Sequence, residues 1–270
     1  MVACPSPCAE RSHGTARLSF RRLGAWTRLE DLYQSGAAKA FVHPAAMGQD
    51  VVFLNTSGGM TGGDRLSYAL TLREGCRVTA TTQTAERAYR STDGRAQVEV
   101  RHDVGPGAHL DWLPQETILF DHSALQRTTE VTLAAGASCL LLEAVVLGRA
   151  AMGETVRSVS LTDRRRITRQ GAPVLYEPLD LTSPALSAGL GILQGARAFA
   201  SLALVAQGAT ARLAAVRAVL DEPGVQAGVS AFDGKLTLRL MAADGWPMRR
   251  QILRLLSVLR DGPLPRVWQM

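Results

Sequence analysis

Three carboxylates sit where carboxylates are expensive. Glu143 interrupts the apolar run Leu140-Leu-Leu-Glu-Ala-Val-Val146, Glu177 sits in Val174-Leu-Tyr-Glu-Pro178, and Glu86 follows the small, uncharged stretch Thr79–Ala85. An acid facing an apolar interior must be paired, hydrated or bound to a cation. Arginine pairing, with Arg65, Arg87 and Arg149 as candidates, is one solution, and a water-filled path lined by acids is the other. A fourth acid, Asp64, closes the glycine-rich stretch Asn55-Thr-Ser-Gly-Gly-Met-Thr-Gly-Gly-Asp-Arg65. Glycine at this density allows positive φ and exposes amide groups, so a phosphate-binding corner over residues 58–63 is one reading of it. The spacing matches no Walker or dinucleotide template, because residues 66–72 alternate like a strand instead of opening a helix. A tight corner that delivers Asp64 and Arg65 to a buried junction is the other reading.

Histidines and cysteines offer less. His102 and His109 flank the Val104-Gly-Pro-Gly107 turn with Asp103 and Asp111 nearby. Imidazole with carboxylate suits nickel or zinc, but a third ligand is missing and the pattern predicts a solvated hairpin tip. Cys4 and Cys8, with His13, lack a fourth ligand in a proline-bearing segment. Cys76 and Cys139 are too scattered for a disulfide framework. No His-Glu-x-x-His, Gly-x-Ser-x-Gly or Cys-x-x-Cys is present.

The elements that position these residues are strands over most of the chain. Leu66, Tyr68, Leu70 and Leu72 alternate with Ser67, Ala69 and Thr71, and Ala96, Val98 and Val100 alternate with Gln97, Glu99 and Arg101. This is the pattern of half-buried strands. Three turns look like copies of one unit: Leu72–Val78, Val104–Leu110 and Leu133–Cys139, with central glycines at 75, 107 and 136. Their spacing of roughly 30 residues is one at which β-solenoid coils repeat, though a sandwich with similar hairpins shares it. Ala209–Leu220 and Trp246–Arg260 instead carry helical periodicity, and Phe232–Leu240 reads as a strand entered through Asp233-Gly234. The prediction is a mainly β, solenoid-like stacked body with two amphipathic helices in the last third. Residues 1–15 are expected to be a mobile tail, and 16–270 one domain: a β body to about 205, then a small α+β lobe over 206–270.

With 270 residues, 46% hydrophobic and 20% charged, the chain can build a large core. No apolar run is long enough for a membrane span or a secretory leader, so a cytoplasmic location is expected. The net charge of +6 comes from 30 basic residues of which only Lys39 and Lys235 are lysines, scattered rather than clustered. That argues against a nucleic-acid surface and toward acidic protein partners.

Five motifs together carry a family resemblance: Leu54–Asp64, Thr81-Thr-Gln-Thr-Ala-Glu-Arg-Ala-Tyr-Arg-Ser91, Leu113-Pro-Gln-Glu-Thr-Ile-Leu-Phe-Asp121, Gly148–Glu154 and Leu264-Pro-Arg-Val-Trp-Gln269. In this order the chain resembles the UreD (UreH) urease accessory proteins from about Ala16 to its end. The first motif departs from many relatives in having Thr56-Ser57 where they carry prolines. The resemblance implies a stacked β fold and a maturation factor without catalytic activity. It also implies the partners UreF, UreG reached through UreF, and the urease apoprotein, with nickel in transit and no tightly bound cofactor. Under that expectation Asp64, Glu86, Glu143 and Glu177 line a path that binds nickel weakly, since oxygen ligands with retained water release what they accept. Arg249, Arg250 and Arg254 on the last helix are candidates for a partner interface. An enzyme that uses the corner at 58–63 and His109 or Asp64 for acid–base work is the competing reading. A carbohydrate-binding module finds little support at 5% aromatic content.

Overall fold

The computed structural model describes residues 11–46, 48–188 and 192–269. Strands dominate, as the period-2 patterning requires. A seven-stranded sheet is formed, in spatial order, by β14 (Ala172–Thr182), β13 (Val159–Arg169), β11 (Ser123–Leu133), β8 (Ala96–Val104), β5 (Arg65–Leu72), β1 (His13–Leu23) and β2 (Trp26–Gly36). Facing it, a second sheet runs β16 (Val225–Phe232), β17 (Lys235–Ala242), β15 (Ala198–Val205), β12 (Ser138–Leu147), β9 (His109–Leu113), β6 (Arg77–Thr82), β4 (Gly48–Asn55) and β3 (Ala38–Ala45). Short strands β7 (Glu86–Ala88) and β10 (Thr117–Leu119) pair in parallel with each other, and β10 also pairs with β12.

The middle of the chain is a solenoid rather than a plain sandwich. β5, β8, β11 and β13 are mutually parallel neighbours, as are β4, β6, β9 and β12. Parallel neighbours need a crossover, and here the crossover is the opposite sheet. The three repeated turns stack in register: Leu72 pairs with Val104 and Val104 with Leu133. Gly75 donates its amide to Pro106 at 2.9 Å, and Gly107 donates to Ala135 at 3.2 Å. All three glycines have positive φ, which the tight turn from one sheet to the other demands. Antiparallel hairpins close both ends of this stack.

Two apolar cores result. One lies between the sheets, where Phe20, Phe53, Leu70, Leu110 and Leu133 are fully covered. A short helix, α1 (Ser183–Ser187), leads out of β14. The other core lies on the outer side of the second sheet, under α2 (Leu213–Arg217, entered through a 3-10 turn at Ala209–Arg212) and α3 (Gly245–Leu259). β12 therefore faces apolar groups on both sides, with Leu141 and Val145 in the first core and Leu140, Leu142 and Ala144 in the second. This explains its nearly unbroken hydrophobic run. Asp244 caps α3 by accepting from Gly245, and Met248, Ile252, Leu255, Leu256 and Leu259 form its buried stripe. Asp233-Gly234, both at positive φ, makes the primed turn between β16 and β17, so the strand expected at Phe232–Leu240 is one arm of a hairpin. β1 begins at His13, inside the stretch expected to be tail, because His13–Thr15 pairs with Arg65–Ser67. No helix among the described residues is long and apolar enough to cross a membrane.

Candidate functional site

Inward positions of adjacent rungs bring a line of charged side chains together between the sheets. On β11 the inward residues are Leu125, Arg127, Thr129 and Val131. On β13 they are Leu161, Asp163, Arg165 and Ile167, and on β14 Leu175, Glu177 and Leu181. Register sets Arg127 beside Asp163, and Thr129 beside Arg165 beside Glu177. From the opposite sheet β12 contributes Glu143, β15 Ser201 and β17 Arg239, which are partners across those strands.

The contacts form a chain of alternating sign. Arg127 reaches Glu143 at 2.7 Å through one terminal nitrogen and Asp163 at 2.7 Å through the other. It adds a 3.3 Å bond from Nε to Asp163 and a 3.1 Å bond to the Thr117 hydroxyl. Arg165 lies 3.7 Å from Asp163 and 3.6 Å from Glu177, and Arg239 donates to Glu177 at 3.0 Å. Trp112 Nε1 donates to the other Glu143 oxygen at 3.1 Å. The acids and the first two arginines are buried, whereas the Arg239 side chain is 80% exposed. Burial pushes the Glu143 carboxyl up despite Arg127. Burial would also raise Asp163, but the Arg127 and Arg165 charges outweigh it and hold that acid down. Arg165 Nε has no hydrogen-bond partner. The line borders a cavity of about 560 Å³ whose wall includes Arg127, Glu143, Glu177, Arg239, Ile192 and Gln226.

Of the four acids expected to act together, the structure thus links Glu143 and Glu177 through Arg127, Asp163 and Arg165. Their arginine partners are not the anticipated Arg65, Arg87 and Arg149. Asp64 and Glu86 lie apart from them, at the glycine-rich corner. Asp64 accepts from the amides of Ser12 and Thr61, each at 2.7 Å. Glu86 accepts from Asn55 at 3.3 Å and from the Arg87 amide at 2.9 Å, and burial raises its pKa. The amides of Ser57, Met60, Thr61, Gly63 and Asp64 are all taken up inside the protein. Gly59, at φ +151°, lies so close to the Tyr89 ring that a Cβ would collide with it. These contacts tie the corner to Ser12 and to residues 87–95.

His102 and His109 part company, which corrects the expectation of a shared solvated tip. His102 continues the inward row of β8 after Val98 and Val100, is 1% exposed, and packs against the Trp112 ring at 4.7 Å between centroids, tilted by 56°. His109 projects from the outer side of β9. Its Nδ1 lies 2.7 Å from Ser138 Oγ and its Nε2 2.9 Å from Asp111. Asp111 also accepts from Thr79 at 3.2 Å and Arg260 at 3.1 Å. Burial would raise Asp111, yet His109 and Arg260 hold it below the ordinary range. This group borders a second cavity, of about 500 Å³, at the C-terminal end of α3. Among the described residues no three His, Cys, Asp or Glu side chains converge as a metal site. Cys4 and Cys8 lie outside the described residues.

On α3, Arg249 packs over the Trp268 ring at 4.9 Å and donates to Gln115 at 2.6 Å. Arg250 and Arg254 clamp the buried Glu222, at 2.5 and 3.1 Å, and stay about half exposed. Trp268, in the C-terminal segment, is buried and donates at 3.1 Å to both Thr81 Oγ1 and the Leu113 carbonyl. Sequence reasoning missed Arg127, Asp163 and Arg165. The signal was available, because each occupies an inward position of a period-2 strand.

The chain matches the family described as UreD urease accessory protein across residues 12–269. It is 60% identical over 269 residues to the urease accessory protein UreD of Cereibacter sphaeroides, with 98% of both chains covered. The protein of that name from Paracoccus denitrificans is 53% identical, over 97% of this chain and 93% of the relative. For the one from Dinoroseobacter shibae the identity is 50%, over 98% and 95%. Stacked β-coils, the five motifs and these end-to-end matches agree, and the chain belongs to the UreD urease accessory protein family.

Proposed function

We propose that the protein is a non-catalytic scaffold of urease maturation in the cytoplasm, bridging apo-urease to UreF and, through UreF, to UreG, and passing nickel toward the urease site. The observation that carries this reading is the buried line Glu143, Asp163 and Glu177, which reaches the surface at the 560 Å³ cavity. Carboxylates compensated by arginine side chains, rather than fixed in a closed ligand cage, suit an ion that must leave as readily as it enters. Asp64 and Glu86 belong to the proposed path as a separate pair of acids near the glycine-rich corner. Arg250 and Arg254, half exposed on α3, are the proposed contacts to an acidic partner surface, with Arg249 packed over the Trp268 ring.

The test is co-purification of the tagged protein with UreF and apo-urease from cells expressing the urease operon. The reading expects a ternary complex and loss of urease activity when the protein is omitted. Failure to retain either partner contradicts it. An enzymatic alternative is favoured by one observation, the hydrogen-bonded series Ser138, His109 and Asp111 beside the 500 Å³ cavity. Calorimetric titration with nucleotides decides between them, because only the enzyme predicts tight binding of a small ligand.

A further inference from the structure

Four strands end the two sheets, and three of them are guarded. β2 carries Arg28, Glu30 and Asp31, and its register with β1 shifts at Ser19/Phe20. β3 carries Lys39 and Pro44, and the amide of Ala40 donates to Gln34 Oε1 at 3.0 Å. β14 carries Pro173 and Pro178. Charges, prolines, bulges and caps are the means by which an edge is kept from pairing with another chain. β16, Val225-Gln-Ala-Gly-Val-Ser-Ala-Phe232, has none of them. It bears no charge and no proline, and its register with β17, its one strand partner among the described residues, is unbroken.

That register fixes which way the β16 backbone faces. Phe232 and Lys235 flank the two-residue turn and so exchange hydrogen bonds, as do Ser230, Gly228 and Gln226 with their partners on β17. The carbonyls of Val225, Ala227, Val229 and Ala231 are left facing the free edge, with the amides of the last three, while the Val225 amide donates to Glu222 at 3.2 Å. Matched antiparallel with a copy of itself about Gly228, this edge sets Val225 opposite Ala231, Ala227 opposite Val229 and Gln226 opposite Ser230. Each larger side chain meets a smaller one, and no charge meets a like charge. At the centre Gly228 faces Gly228, where an added Cβ would touch nothing within one chain. Helix α2 packs over β16 and leaves Ala214, Ala215 and Ala218 exposed, so the surface flanking the edge is small-sided as well.

We propose that the free edge of β16 is a self-association surface, through which two copies of this chain pair antiparallel about a two-fold axis at Gly228. The contact is isologous, so it closes at a dimer and joins the second sheets of the two copies into one. It goes beyond the maturation role and does not depend on the passage of nickel.

The experiment measures the mass of the full chain by sedimentation velocity across a dilution series, as wild type and as Ala227→Pro. Proline there removes an amide that faces the free edge and leaves the ladder to β17 intact. The expected result is a reversible dimer in the wild type and association at least about tenfold weaker in the variant. A second arm does not need that variant. In a Cys4→Ser/Cys8→Ser background, Gly228→Cys should form an intermolecular disulfide under mild oxidation, because residues facing across the axis form a non-hydrogen-bonded pair with Cα atoms about 4.5 Å apart. Ser230→Cys in the same background should not, and the buried Cys76 and Cys139 do not compete. A wild type that is monomeric throughout, a dimer indifferent to Ala227→Pro, or cross-linking by Ser230→Cys as strong as by Gly228→Cys overturns the proposal. A monomer that binds UreF or apo-urease in a manner lost in Ala227→Pro also overturns it, and gives the edge to a partner strand instead. If Ala227→Pro does not fold, the two cysteine variants decide alone.

Discussion

Replacing His102 with leucine should flatten the response of stability to acid. The imidazole is fully enclosed between Trp112 and the neighbouring rungs, and neither ring nitrogen has a hydrogen-bond partner. Burial therefore disfavours its charged form and holds its pKa down to about 3. The unfolded chain protonates it near 6.5. Between those values the unfolded state binds a proton that the folded state refuses, so stability is lost as pH falls below about 6.5. At about 1.4 kcal/mol per pH unit, going from pH 7 to pH 5 costs the wild type about 2 kcal/mol through this residue alone. His102→Leu removes the titration and leaves every carboxylate in place. At neutral pH it exchanges a tilted ring–ring contact worth about 1 kcal/mol for relief of an unsatisfied buried group of similar cost, so little net change is expected. The assay is urea unfolding of both proteins at pH 7.0 and 5.0. The variant should lose about 2 kcal/mol less than the wild type. Equal losses refute the reasoning, and would mean that the imidazole finds a proton acceptor or water inside the solenoid.

Trp268→Ala should cost about 3–5 kcal/mol, read as a lower urea midpoint, because it empties a buried site in the outer core and unpairs Thr81 and Leu113. Gly59→Ala should destabilise by about 1–3 kcal/mol, since its φ of +151° and the Tyr89 ring both reject a Cβ. The Cys139 thiol, pushed up to about 12 by burial, and the buried Cys76 should resist a maleimide in the native protein and react in urea, as read by mass spectrometry. Rapid native labelling of either would contradict this packing.

The stacking order was legible because it rests on short-range chemistry. Three turns with glycine at positions 75, 107 and 136 share one backbone conformation, and strands joined by identical turns stack in register. Glu143 and Glu177 were also visible, as charges in apolar company. Arg127, Asp163 and Arg165 escaped because their segments, Gln126–Thr129 and Thr162–Arg166, are polar throughout and read as surface unless alternation is carried through from Leu125 and Leu161. Which carboxylate meets which arginine depends on register across the sheets, a long-range property that local spacing does not encode. The pairing of Ser138 with His109 is of the same kind: the residues are adjacent rungs in space and separate turns in sequence.

The central claim is that the interior acids move nickel rather than only neutralise arginines. Its most direct test is the nickel content of urease matured with Glu143→Gln or Glu177→Gln in place of the wild-type protein, with complex assembly measured in the same cells. The account predicts intact co-purification and urease substantially depleted of nickel. Fully loaded urease from both variants would contradict it.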